Sequence, residues 1–106
     1  MSLAECPPGR RASLLVFGNR YKLELLAALA TAGQEGVNLS ALADEQGVSA
    51  SVYYGPVEDL LQAGLAEKLP RQLPDRRRWY RRTEGAVWQS LRTLAEELAM
   101  IEVKAS

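Results

Sequence analysis

From residue 13 onward the chain is built of runs whose apolar residues recur every three or four positions, separated by short glycine- or proline-bounded interruptions. Leu14, Leu15, Val16 and Phe17 form a first apolar block, and Asn19 is then placed to cap a helix over 20–32 in which Leu25, Leu26 and Leu29 share a face. Gly33 ends that helix. After Val37, Asn38 predicts the cap of a short helix over 39–46 that buries Leu39, Leu42 and Ala43, and Gly47 closes it in the left-handed conformation a sharp turn requires. Ser49 is a further capping residue, and Val52, Val57, Leu60 and Leu61 suit one helical face as far as Ala63, before Gly64. Pro56 lies inside this run. A proline is tolerated in a first turn, where its missing N–H is not needed, and Glu58 and Asp59 behind it favour the same position. The pattern therefore predicts a kink or a helix restart there, after a turn over 51–54.

Beyond Gly64 the period changes. Residues 65–69 and 77–83 are short runs on either side of the proline-bounded segment Pro70-Arg71-Gln72-Leu73-Pro74-Asp75, which predicts a two-stranded hairpin with a long tip. Over 84–103, Val87, Trp88, Leu91, Leu94, Ala95, Leu98 and Ile101 return at intervals of three and four and describe one long amphipathic helix. Residues 1–12, with Pro7-Pro8-Gly9-Arg10-Arg11, read as a flexible tail, leaving 13–103 as one domain. The fold class is mainly α with a small β-hairpin (α+β). Its order of helix, short helix, glycine turn, helix, hairpin and long C-terminal helix is that of a winged helix-turn-helix.

Composition narrows the chemistry. A chain of 106 residues suits a single domain. It has no histidine and Cys6 as its single cysteine, so an internal disulfide and a Cys/His zinc site are excluded. General acid-base and nucleophilic catalysis would have to proceed without histidine, and the carboxylate pairs Asp44-Glu45, Glu58-Asp59 and Glu96-Glu97 read as helix surface. No catalytic residue, metal or cofactor is predicted. No apolar run approaches the roughly 18 residues of a membrane span, and with no disulfide framework the expected location is the cytoplasm.

Net charge is zero, but the charges are segregated. No Lys or Arg occurs between Leu23 and Glu67, whereas Lys68, Arg71, Arg76, Arg77, Arg78, Arg81 and Arg82 crowd the hairpin. Clustering, more than the sum, marks a nucleic-acid footprint. The expected division of labour puts Ser49, Ser51, Tyr53 and Tyr54 of the second helix against bases or nearby phosphates, and Arg71, Arg76, Arg77 and Arg78 of the wing on the backbone or a narrow minor groove. Tyr53 and Tyr54 cannot both face the interior of one helix, whereas Trp79, Tyr80 and Trp88 are expected to pack. The apolar stripe Leu91, Leu94, Leu98 and Ile101 exceeds what a small core needs, and a symmetry mate is its economical cover, joined by residues 14–17.

The run Phe17-Gly18-Asn19-Arg20-Tyr21-Lys22-Leu23 resembles the opening of ArsR-type repressors. Residues 49–68, with Tyr54 and Ala63-Gly64-Leu65, resemble the PadR and MarR groups, and Arg78-Trp79-Tyr80-Arg81-Arg82-Thr83-Glu84-Gly85 is similar to the wing exit of PadR-like proteins. The resemblance covers roughly 17–98 and implies a double-stranded-DNA-binding transcriptional regulator, which the chain's size and the apolar stripe of the last helix make a homodimer; the sequence selects no small-molecule effector. The chain departs from these families at Arg82, where an apolar residue is usual, and in a recognition helix without Lys or Arg. With the DNA reading goes the expectation that Glu58 and Asp59 point away from the groove. The alternative is a winged helix turned into a protein-interaction module, motivated by the carboxylates of the cation-free stretch 23–67.

Overall fold

The computed structural model describes residues 8–70 and 78–100. Helix α1 (Pro8–Phe17) leads into α2 (Lys22–Ala32), a 3-10 turn (Gly33–Glu35), the short strand β1 (Val37–Asn38) and α3 (Leu39–Gln46). A second 3-10 turn (Ala50–Tyr53) runs directly into α4 (Tyr54–Gln62), followed by the strands β2 (Ala66–Lys68) and β3 (Trp79–Arg82) and by α5 (Ala86–Met100). The antiparallel sheet has the order β1-β3-β2, with Val37 opposite Tyr80, Glu67 opposite Arg81 and Lys68 opposite Tyr80.

The local signals act where they were read. Asn38 Oδ1 accepts from Ala41 N at 3.0 Å and caps α3. At the other end Gly47 is left-handed (φ 71°, ψ 33°), which lets Val48 N reach back to Ala43 O at 3.0 Å. Pro56 falls in the first turn of α4, where its absent N–H leaves no bond unmade. The helix itself begins two residues earlier, at Tyr54, directly from the 3-10 turn.

Three boundaries differ from the sequence reading. Residues 8–12, assigned to a tail, are helical. Pro8 suits a first helical position, Ala12 packs with Leu23, Ala95 and Leu98, and the fully buried Ser13 donates from Oγ to Asn19 O at 2.5 Å while accepting from Leu23 N at 3.0 Å. Asn19 does not cap α2; its Oδ1 accepts from Tyr21 N at 2.8 Å in the turn before the helix begins at Lys22. Strand β1 was not foreseen. The expected extension of α5 to 103 lies outside the described residues.

The main core joins Leu25, Leu26 and Leu29 of α2 to Leu39 and Leu42 of α3, Val57 and Leu60 of α4, Tyr80 of β3 and Trp88 of α5. Trp88 Nε1 donates to Leu65 O at 2.8 Å, so the indole is buried without an orphaned donor. Arg82 explains itself here: its Nη1 donates to Leu29 O at 3.1 Å and Ala30 O at 3.0 Å, satisfying carbonyls at the C-terminal end of α2. A guanidinium reaching a helix end replaces the apolar residue that would only fill space.

Gly36 has φ 80° and ψ −169°, a region closed to L side chains, and a Cβ there would strike the carbonyl oxygen of Tyr80. The substitution Gly36→Ala is expected to cost at least about 2 kcal/mol. Urea unfolding would read this as a lower midpoint at unchanged slope.

Candidate nucleic-acid interface

The helix-turn-helix pair is α3 and the unit formed by the 3-10 turn Ala50–Tyr53 with α4. Ser49 begins that unit: its Oγ accepts from Ser51 N at 3.4 Å and lies 3.0 Å from Ser51 Oγ, so the two exposed hydroxyls are held together. Tyr54 follows on the surface, 57% exposed.

Tyr53 is fully buried, which corrects its assignment as a base or phosphate contact. Its hydroxyl donates to Glu24 Oε2 at 2.5 Å, and the other carboxylate oxygen accepts from Arg10 Nε at 2.8 Å. The Arg10 guanidinium lies over the Tyr21 ring at 5.1 Å, and Tyr21 meets Tyr53 edge-to-face at 6.1 Å between centroids. The four residues close a ring that fastens α1 and α2 to the start of the second helix. Burial away from water, with the bond to the Glu24 carboxylate adding to it, pushes the Tyr53 phenol above its ordinary range. The bond to Glu24 likewise raises the Arg10 guanidinium.

On the solvent side of α4, Glu58, Asp59 and Gln62 are exposed with Tyr54, while Pro56, Val57 and Leu60 face the core. Asp59 Oδ2 pairs with Lys22 Nζ at 2.9 Å. Glu58 stands four residues after Tyr54, on the same line of the helix, so it does not turn away from the face that Tyr54 presents. Sequence reasoning missed Glu58 and Gln62 as members of this face, although the four-residue spacing from Tyr54 was legible.

The basic cluster divides. Lys68 and Arg78 are exposed at the end of the strand pair next to residues 71–77. Arg81 is paired across the strands with Glu67, and Arg82 is turned inward onto α2. Arg71, Arg76 and Arg77 lie outside the described residues. Among the described residues no group of His, Cys, Asp and Glu side chains could hold a metal ion, and no helix is long and apolar enough to cross a membrane. A cleft of about 440 Å³ opens between α1, α2 and α5, with Arg10, Arg20 and Glu24 among its walls.

A helix-turn-helix followed by a hairpin packed on the same core, with a long closing helix, is a winged helix-turn-helix. Its structural likeness is to CouR from Rhodococcus jostii RHA1, a structure solved with p-coumaroyl-CoA bound: the TM-score is 0.59 at 22% sequence identity, over 92% of this chain and 76% of that one. No protein-family model matches the sequence, and no curated protein matches it. The likeness establishes the fold.

Tyr53→Phe keeps the ring and deletes the bond to Glu24, and is expected to lower stability by about 1.5–3 kcal/mol. The folded phenol titrates above its ordinary value of 10.0, so the folded chain keeps a proton that the unfolded chain gives up. The associated stability is complete below about pH 10 and is lost as pH rises beyond it. Urea midpoints measured from about pH 9 to 11 should therefore fall more steeply for the wild type than for the Phe variant.

Proposed function

We propose that the protein is a homodimeric, sequence-specific double-stranded-DNA-binding transcriptional regulator. The 3-10 turn and α4 lie in the major groove and the arginine-rich wing lies on the backbone or minor groove. The observation that carries this reading is the joint exposure of Ser49, Ser51 and Tyr54 on the second helix of the pair, with Lys68 and Arg78 exposed on the wing. Ser49, Ser51 and Tyr54 meet bases or adjacent phosphates, and Arg71, Arg76, Arg77 and Arg78 supply the sequence-independent grip. The likeness to CouR supports the fold on which this reading depends.

Dimerisation is proposed through α5, with α1 beside it. Leu15 and Val16 of α1 and Val87, Leu94 and Met100 of α5 are exposed apolar side chains outside both core clusters. Such surface is best removed from water by a second copy. The two second helices of a dimer would then address half-sites about 34 Å apart.

The rival reading, a protein-interaction module, draws on exposed Glu58, Asp59, Asp44 and Glu45, which repel phosphate. Fluorescence anisotropy with labelled duplex separates the two. Binding should weaken with salt at a log-log slope near −5 if about six phosphates are neutralised per dimer, and Arg76→Ala/Arg77→Ala/Arg78→Ala should reduce affinity for all sequences alike. Absence of duplex binding at low salt, with one stoichiometric protein partner recovered, would favour the rival. In sedimentation the wild type should run as a dimer. Leu94→Glu should shift it toward monomer and cost about 100-fold or more in DNA affinity, because the two half-sites are no longer linked.

A further inference from the structure

The solvent face of α4 is rich in acceptors. Tyr54, Glu58 and Gln62 stand four positions apart along it, and no Lys or Arg occurs anywhere between Leu23 and Glu67 to supply a cation from this helix. Gln62 Nε2 approaches Glu58 Oε1 at 3.5 Å, the outer limit of a hydrogen bond. The Glu58 carboxylate is thus open to a better donor, unlike Asp59, which Lys22 engages at 2.9 Å.

We propose that Glu58 determines specificity by selecting DNA that places a cytosine amino group against it, an inference that rests on the DNA-binding reading above. An ionised carboxylate only accepts hydrogen bonds. In the major groove guanine presents N7 and O6 and thymine presents O4, all acceptors, so opposite either base Glu58 loses its water and meets lone pairs. Adenine offers its N6 amino group beside the N7 acceptor. Cytosine offers the N4 amino group with an acceptor, the paired guanine O6, on one side only, whereas adenine N6 stands between N7 and the paired thymine O4, so cytosine answers the desolvated charge best. Phosphates repel the same carboxylate at every site. Glu58 therefore acts chiefly by penalising wrong sequences, while the wing cations supply affinity that does not distinguish them.

The test uses the full chain as wild type, Glu58→Ala and Glu58→Gln. Each is titrated against random-sequence duplex and used to select binders from a randomised duplex pool, with sequencing. Glu58 is exposed and outside the core clusters, so urea midpoints of the variants should match the wild type. Both variants should bind random duplex about three- to tenfold tighter. The wild-type motif should contain a cytosine position that Glu58→Ala loses and Glu58→Gln moves toward adenine, since a glutamine amide fits adenine N6 and N7. A wild-type motif retained unchanged by Glu58→Ala overturns this inference and leaves DNA binding intact. A wild type that neither binds random duplex nor enriches any sequence overturns both.

Discussion

Glu24 is a partly buried carboxylate whose two oxygens belong to different partners: Arg10 of α1 holds one and Tyr53 of the second helix holds the other. Taking a carboxylate out of water is costly, and here the cost is offset only while both donors are in place. That requirement joins segments that local sequence does not join. It seats α1 on α2, and it draws the end of the 3-10 turn inward until the Tyr53 ring is buried. Successive residues on a helix point about 100° apart, so an anchored Tyr53 leaves Tyr54 outward, and Glu58 and Gln62 follow along the same line. The surface offered to a ligand is the reverse side of a core constraint.

The cationic segment shows why composition alone overstates a binding surface. Arg81 and Arg82 sit within the dense run, yet one is spent on Glu67 across the ladder and the other on the carbonyls of Leu29 and Ala30. Lys68 and Arg78 are exposed beyond them. The division follows the strand: its pleat sends Tyr80 and Arg82 to the core side and leaves Arg81 over the partner strand.

What could be read from the sequence was what short-range chemistry determines. The Asn38 cap, the left-handed Gly47 and the first-turn place of Pro56 each depend on a few neighbouring residues, and each is where it was expected. The N-terminal boundary was misread because Pro8-Gly9-Arg10-Arg11 shows no apolar period of its own. The helix is held by Ala12 and Ser13 against residues further along the chain. Strand β1 is two residues long and too short to show alternation. Choosing between Tyr53 and Tyr54 required the phase of a 3-10 turn and the presence of Glu24, 29 positions away. The inward role of Arg82 needed partners 52 and 53 positions distant.

That grip of Arg82 on the end of α2 has a mechanical meaning. The last residue of β3 is bolted to the helix that also positions the second helix through Glu24, so the base of the wing and the solvent face of α4 belong to one frame built on α2. For a duplex lying against both, as proposed, the frame would work as a fixed ruler. In the DNA complex proposed above, the wing would meet phosphates at a set distance from the step beside α4, and a groove too wide or too narrow for that distance could not be accommodated by a hinge at the wing's root. The DNA itself would have to twist or bend to keep both contacts.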